Sequence, residues 1–384
     1  MEHLYVLSAL VGRAKEIRVF PHEVVQVFND KCELVDSFVH GVSDKNSLSG
    51  AFLCRDKRIS KGLVQYSKVA STVKGASFSY RSSRSALEYA KKLNPPIVLR
   101  DQEESAFEDG VVLLKDHSQL KRALSNHRKL SQKQRDYVLG LRPGYSRRGL
   151  TLLPQDEIDA NPESYRKKAS FRFLLEERPE GELYRFFVAN KKALCGVSVS
   201  LQGEGAPSAF IRDVPSDEAN VAVSSLSAVP GVFSGSVDLI KVNKADGSFS
   251  KYKVIEVSER FKLGATFGSD EGEFGWMARE VVEAFIYEAY GAGELLEKPG
   301  PKFPCKIKVF PVAGADGEAK KVEKAFHSYG LLLGGADSKV NESFMEFEVC
   351  SAPSVFKFSQ AINGILNEPS GSYGALAKCI CISM

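Results

Sequence analysis

At 384 residues, with 43% hydrophobic and 26% charged content, the chain has an ordinary globular composition and length for two or three domains. No run reaches about 18 apolar residues, so a membrane span is not expected, and the start, MEHLYVLSALVGRAKEIRVF, lacks the basic region and cleavage site of a leader and reads as a strand or helix of the fold. The net charge of +4 neither demands nor excludes nucleic acid, and seven scattered cysteines suit reduced thiols in a cytoplasmic protein better than a disulfide framework.

Residues 1–60 alternate short apolar runs with polar breaks: Leu4–Val11, Ile17–Phe20, Val24–Phe28, Leu34–Val39 and Ala51–Cys54. That rhythm suits a small α/β unit, and Asp44–Gly50 (DKNSLSG) is a turn-rich break. Ser60 as N-cap predicts a helix over Lys61–Val73, and Ala86, Leu87, Tyr89 and Ala90 predict another over Ser83–Leu93. Asn94-Pro95-Pro96 stops the second, because proline removes a donor and restricts the residue before it. A strand Ile97–Arg100, an acidic loop (DQEESAFEDG), a strand Val111–Leu114 and a helix His117–Ser125 follow.

From Lys121 to Leu150 the composition turns basic. Lys121, Arg122, Arg128, Lys129, Lys133, Arg135, Arg142, Arg147 and Arg148 face the single acid Asp136, with Tyr137 and Tyr145 interleaved. This pattern fits a solvated helix over Ser131–Leu141, and equally an anion site for nucleic acid or for a phosphorylated or carboxylated substrate. A polar connection over 151–170 leads to strands at Phe171–Leu175, Leu183–Val188 and Lys253–Val257, with Asp238 on the strand before the last. Glu256, Ser258 and Glu259 stand where the last strand opens into a loop; strand period puts Glu256 and Ser258 on one face. Carboxylates at neighbouring strand ends cost stability unless a positive group meets them, and a magnesium ion is one such group. Ala245-Asp246-Gly247 reads as the hairpin turn between the last two strands.

Met277, Val281, Val282, Phe285, Ile286 and Ala289 give one apolar face to a helix over Gly272–Leu296, ended by Gly291 and Gly293. Lys298-Pro299-Gly300-Pro301 is a linker. Beyond it, strand Cys305–Val312, helix Gly317–Tyr329, strand Phe344–Cys350, helix Val355–Leu366 and strand Leu376–Ser383 read as a separate βαβαβ unit. Cys379 and Cys381 fall on one face of that last strand and read as core thiols. Six dispersed histidines argue against a zinc centre. The expected division is 1–60, 61–170, 171–297 and 302–384.

Three motifs, in order, carry a family resemblance. The first is ISKGLVQYSK, a lysine ahead of a helix, followed by NPPIVLRDQEESAFEDGVVLLKDHSQLKRAL. The second is LLEERPEGELYRFFVANKKAL. The third is VDLIKV and then KYKVIEVSERF. The stretch from Lys61 to about Gly293, in which they lie, resembles the ATP-grasp superfamily. The resemblance implies an α/β fold with two α+β subdomains around a nucleotide cleft, flanked here by the N-terminal α/β and C-terminal βαβαβ units. It implies ATP and Mg2+ as cofactors, and the joining of a small-molecule or peptide carboxylate to an amine through an acyl-phosphate. By the family's motif positions, Lys61 and Arg100 would hold the phosphates, and Leu175, Glu176 and Glu177 the adenine edge. Glu182 would bind the ribose, and Asp238, Glu256 and Ser258 magnesium. Arg185 and Arg100 would stabilise charge in the reaction. Arg100 replaces a usual lysine and Ser258 a usual asparagine. The loop expected to cover the phosphates carries Glu103, Glu104, Glu108 and Asp109. The alternative expectation is a degenerate site on the same fold, in a protein that binds nucleic acid or an acidic partner through Lys121–Arg148.

Overall fold

A computed structural model describes residues 2–79, 82–93, 97–101, 112–114, 119, 172–177, 181–199, 207–243, 249–267, 274–294, 303–312, 315–334, 339–340, 343–367 and 377–383. In chain order the elements are α1 (Glu2–Leu10), β1 (Glu16–Phe20), β2 (Val24–Phe28), β3 (Leu34–Val39), β4 (Val42–Ser43), α2 (Leu48–Arg55), α3 (Lys57–Tyr66), β5 (Ser71–Thr72), β6 (Gly75–Ser79) and α4 (Ser83–Ala90). Next come β7 (Ile97–Asp101), β8 (Val112–Leu114), β9 (Arg172–Glu177), β10 (Gly181–Ala189), β11 (Lys192–Val199), β12 (Pro207–Ile211), α5 (Ser216–Ser227), β13 (Ser234–Asn243) and β14 (Phe249–Ser258). The chain continues through α6 (Leu263–Phe267), α7 (Gly275–Glu294), β15 (Cys305–Pro311), α8 (Ala315–Ser328), β16 (Leu332–Leu333), β17 (Lys339–Val340), β18 (Met345–Ser351), α9 (Val355–Asn367) and β19 (Ala377–Ser383). The fold is mixed α/β, as expected. It divides into a first unit of Met1–Ala51, Glu182–Leu239 and Val257–Met384, and a second of Phe52–Gly181 and Ile240–Glu256.

The first unit is built on an antiparallel sheet of order β16-β18-β15-β19-β1-β2-β3-β4, with β17 also on β18. Its strands alternate. Ile17, Val19, Val25, Val27, Ile307, Val309, Met345, Phe347, Ile380 and Ile382 are buried, and their neighbours face outward. Helix α1 is buried from His3 to Leu10, so it is enclosed on every side, and it packs on both α9 and α7. The Tyr5 ring lies 5.0 Å from that of Phe356 on α9. The expectation of separate units over 1–60 and 302–384 is corrected here. β1 pairs with β19 in the register Ile17↔Ile382 and Val19↔Ile380, so the two ends of the chain share one sheet and one core. A one-residue slip of β19 would turn Ile380 and Ile382 to the other face, which fixes the register.

Two hairpins close through two-residue loops with positive φ at both positions: His40-Gly41 (53° and 76°) and Asn190-Lys191 (48° and 60°). This turn form matches the right-handed strand twist. At Gly235 on β13 a Cβ would stand 1.9 Å from the Ser258 carbonyl oxygen and 3.0 Å from its carbon. Gly235→Ala is therefore expected to cost about 3 kcal/mol, at the upper end of overpacking penalties, read as a lower denaturant midpoint at unchanged slope.

Asp36 on β3 is fully buried. It accepts from the Ser37 N–H at 2.7 Å, the Ser43 hydroxyl at 2.7 Å, the Asp44 N–H at 3.1 Å and the Tyr290 hydroxyl. Burial, with Asp44 beside it, pushes its carboxyl up to about 8, against the Ser43 hydrogen bond. The fold then holds a proton that the unfolded chain releases near pH 4. Its contribution to stability is present below that pH and is lost as pH rises toward 8. Asp36→Asn is expected to flatten this fall, because the Ser43 and Tyr290 hydroxyls can turn to accept from the amide. Unfolding midpoints of both proteins at pH 6 and pH 8 check it: a steeper fall in the wild type supports the assignment.

The second unit contains a four-stranded antiparallel sheet of order β6-β9-β7-β8. Ala86 and Ala90 of α4, with Leu93 just beyond it, pack onto Phe173 and Leu175 of β9. β5 pairs in parallel with β14 through Lys253↔Ser71 and Val254↔Thr72. Helix α3 starts at Lys57 rather than Lys61, because the Asp56 side chain accepts from the Arg58 and Ile59 N–H groups at 3.0 and 3.1 Å. Lys61 consequently lies one turn inside the helix, above Lys57. β11, β12 and α5 lie between the strand expected at Leu183–Val188 and the one carrying Asp238, where no element was expected. The basic segment 121–150, most of the acidic loop, the helix over His117–Ser125 apart from Gln119, and the Ala245–Gly247 turn lie outside the described residues.

Candidate functional site

In the second unit, charged residues from α3, β9 and β14 are buried in pairs. Lys57 and Lys61, four apart, share one face of α3. Lys61 Nζ donates to Glu176 Oε1, with the two side chains only 9% and 5% exposed. Lys57 Nζ lies 3.6 Å from Glu256 Oε1. Glu176 and Glu177 are consecutive on β9 and point to opposite sides of the sheet. Glu177 Oε1 accepts from Lys253 Nζ at 2.5 Å and from the Lys74 N–H at 3.2 Å. Burial acts to raise the Glu177 carboxyl, and these two donors outweigh it, so it sits below the ordinary carboxylate value.

Strand β9 holds its place because both edges are paired: Leu175 faces Ala76 on β6 and Leu99 on β7. Val98 is opposite Glu176 and Arg100 opposite Leu174, so Arg100 and Glu176 belong to one face of the sheet. That face carries Lys61, Glu176 and the backbone position of Arg100. A buried lysine at a strand end is the chemistry that receives phosphate.

The first unit holds a different cluster. Arg185 on β10 grips Asp238 on β13 with two parallel bonds, Nε to Oδ1 at 2.7 Å and Nη2 to Oδ2 at 2.8 Å. Its Nη1 donates to Thr266 Oγ1 on α6 at 2.6 Å, and that hydroxyl donates to the Lys262 carbonyl at 2.8 Å. The guanidinium is thus fixed in plane and direction. Nearby backbone is knitted by Asn46. Its Oδ1 accepts from the Phe233 and Ser234 N–H groups at 2.7 and 2.9 Å, and its amide donates to the Ser234 carbonyl at 3.0 Å and the Glu259 carbonyl at 3.3 Å. Ser258 Oγ accepts from the Arg260 N–H at 3.2 Å. Glu182 is exposed and accepts from the Tyr184 hydroxyl, which burial and then Glu182 push up to about 12.

No family model matches this chain, and no curated protein does. Among solved structures it matches D-alanine–D-alanine ligase from Bacillus anthracis complexed with ATP, at 14% identity over 64% of this chain and 67% of that one, TM-score 0.36. It also matches D-cycloserine synthetase DcsG (15%, 62% and 71%, 0.38) and the ATP-grasp ligase PsnB complexed with minimal precursor (10%, 63% and 63%, 0.35). The chain is similar to solved ATP-grasp ligases. At TM-scores below 0.5 this likeness carries no argument about chemistry, which rests on the residues themselves.

Of the residues expected from the ATP-grasp motifs, the structure brings together Lys61 with Glu176, and Arg185 with Asp238. Leu175 and Glu176 spend backbone groups on the β6 and β7 ladders, and the Glu177 N–H bonds the Lys74 carbonyl at 2.9 Å. Among the described residues no group of three or more His, Cys, Asp or Glu side chains could hold a metal. Glu256 has Lys57 nearby and Asp238 has Arg185. The donors are hard oxygens, which suit magnesium. Such an ion, carried in on phosphates, needs only one or two carboxylates. Sequence reasoning missed Lys57, Lys253, Thr266 and Asn46. The four-residue spacing of Lys57 and Lys61 was the available signal.

Proposed function

We propose that this protein is an ATP-dependent ligase joining a carboxylate to an amine. The observation that carries the reading is the buried Lys61–Glu176 pair. A buried ion pair is weak evidence for stability, since an apolar substitute is often as good. Its placement at a strand end, with Lys57 one turn earlier on the same helix, is better accounted for by a phosphate-bearing ligand. Lysine ammonium has three donors, so Lys61 can serve Glu176 and a phosphate oxygen together.

In the proposed reaction the substrate carboxylate oxygen bonds the γ-phosphorus and ADP leaves. The amine nitrogen then bonds the acyl carbon, phosphate departs and the nitrogen releases a proton. Lys61 and Arg100 orient the phosphates. Arg185, held rigid by Asp238 and Thr266, offers a directed cation to an anionic reacting group, the kind of preorganised charge that lowers barriers. Magnesium, bound with the nucleotide, supplies charge neutralisation at the phosphates, and Glu256 is the second unit's carboxylate suited to hold it.

Calorimetric titration of the full chain with ATP and magnesium tests the reading. One saturable site whose affinity falls when magnesium is withheld is expected. No binding heat, with unchanged melting in ATP, overturns it.

A further inference from the structure

The outer face of the large sheet of the first unit carries a chemical array that the ligase reading does not use. Cys379 and Cys381 lie two apart on β19, on the side opposite the buried Ile380 and Ile382, and both are half-buried. The expectation of core thiols thus fails for this pair. By contrast, Cys195 and Cys305 are buried and pushed up to about 12 by that burial. Cys381 stands directly opposite Arg18 on β1 and Lys308 on β15. Cross-strand partners share a face at close range, so a cation flanks the thiol on each side. Arg18 is 43% and Lys308 44% exposed, so both remain open to solvent.

Each of the two cations also has an acid beside it. Glu16 lies 2.6 Å from Arg18, whose guanidinium also stacks 4.2 Å from the Phe28 ring centroid. Glu346 lies 3.6 Å from Lys308, which sits 5.2 Å from the Phe344 ring. Lys306 pairs with Ser383 one step along. We propose that Cys381 is a nucleophilic thiol that exchanges with anionic, carboxylate-bearing low-molecular-weight disulfides, using Arg18 and Lys308 to receive the carboxylates.

The neighbouring Cys379 thiol, with Arg18 and Lys308, outweighs burial and Glu16, so Cys381 lies below the ordinary thiol value while Cys379 is raised. In the exchange the Cys381 sulfur bonds one sulfur of the reagent, the reagent's S–S bond breaks, and the second half leaves as a thiolate that takes up the proton. Same-face positions on an extended strand are about 6.7 Å apart at Cα, at the far end of the span a disulfide closes. Cys379 therefore does not displace the adduct, and the mixed disulfide is the product.

The test treats the full chain at pH 7 with dithiobis-nitrobenzoate, which carries carboxylates, and separately with neutral hydroxyethyl disulfide, and locates the adducts by peptide mass spectrometry. Cys32 and Cys350, both exposed, serve as references within the same molecule. Cys381 is expected to react about fivefold faster than either with the anionic reagent, and to lose most of that lead with the neutral one. Arg18→Gln and Lys308→Gln should narrow the lead, and Cys379→Ala should move half-maximal reaction to higher pH. The proposal is overturned if Cys381 reacts no faster than Cys32 and Cys350, if the neutral reagent serves as well, or if a Cys379–Cys381 disulfide replaces the adduct.

Discussion

Lys61→Met is expected to abolish ATP binding and to lower stability by about 3–5 kcal/mol, the usual consequence of removing one partner of a buried ion pair. Lys61 and Glu176 are both nearly sealed from solvent. Methionine fills much of the lysine volume but leaves the Glu176 carboxylate without that cation. The double substitution Lys61→Met/Glu176→Leu separates the two roles. Replacing both charges by apolar groups of similar size is expected to restore most of the stability, because the desolvation cost disappears with the charges. It cannot restore a phosphate contact. Urea unfolding and calorimetric titration of the three proteins therefore give a clear pattern: stability lost and then largely regained, binding lost and not regained. A stable double variant that binds ATP as tightly as the wild type would make the pair structural and remove the basis of the nucleotide reading.

Much of this was legible in the sequence where the signal is local. The alternation in Ile17–Phe20 and Val24–Phe28, the four-residue periodicity of Met277 to Ile286 and the proline stop after α4 all report on neighbours within a few residues. The pairing of β1 with β19 was not legible, because it joins positions more than 360 residues apart and nothing in either strand names its partner. Helix α5 escaped notice because SDEANVAVSSLS carries few large apolar residues, though Ala222, Ser225 and Leu226 are buried. In the site, Lys61 was visible through its place ahead of the strand motif, but its helix register was misread. Ser60 and Asp56 are both good caps, and only the hydrogen bonds of Asp56 decide between them. Lys57 and Lys253 were passed over since lysine is ordinarily exposed. Their burial follows from Glu256 and Glu177, acids that tertiary packing brings to them. The Cys379–Cys381 pair was placed on one face correctly and assigned the wrong side, because a strand's period gives the faces but not which one meets the core.

Arg185→Lys is expected to reduce ATP-dependent phosphate release by about a hundredfold to a thousandfold, the range seen on losing one preorganised charge donor, while ATP affinity changes less than about twofold, a difference that separates transition-state from ground-state contacts. Lysine preserves the charge but has a single ammonium in place of the planar fork. It can meet one oxygen of Asp238, and it forfeits either the second oxygen or Thr266, which Arg185 reaches at 2.8 and 2.6 Å. The cation is then free to swing, and what is lost is direction rather than charge. Asp238→Asn attacks the same geometry from the other side: Arg185 keeps its charge and its Thr266 bond but loses one accepting oxygen. It should lower turnover as well, by a smaller factor. Phosphate release measured across a panel of carboxylate and amine substrates, alongside calorimetric ATP affinity, checks both. Turnover unchanged in Arg185→Lys would confine this residue to holding β10, β13 and α6 together. Affinity lost in step with turnover would instead assign Arg185 to ground-state nucleotide binding, and the charge-directing role proposed for it would fall.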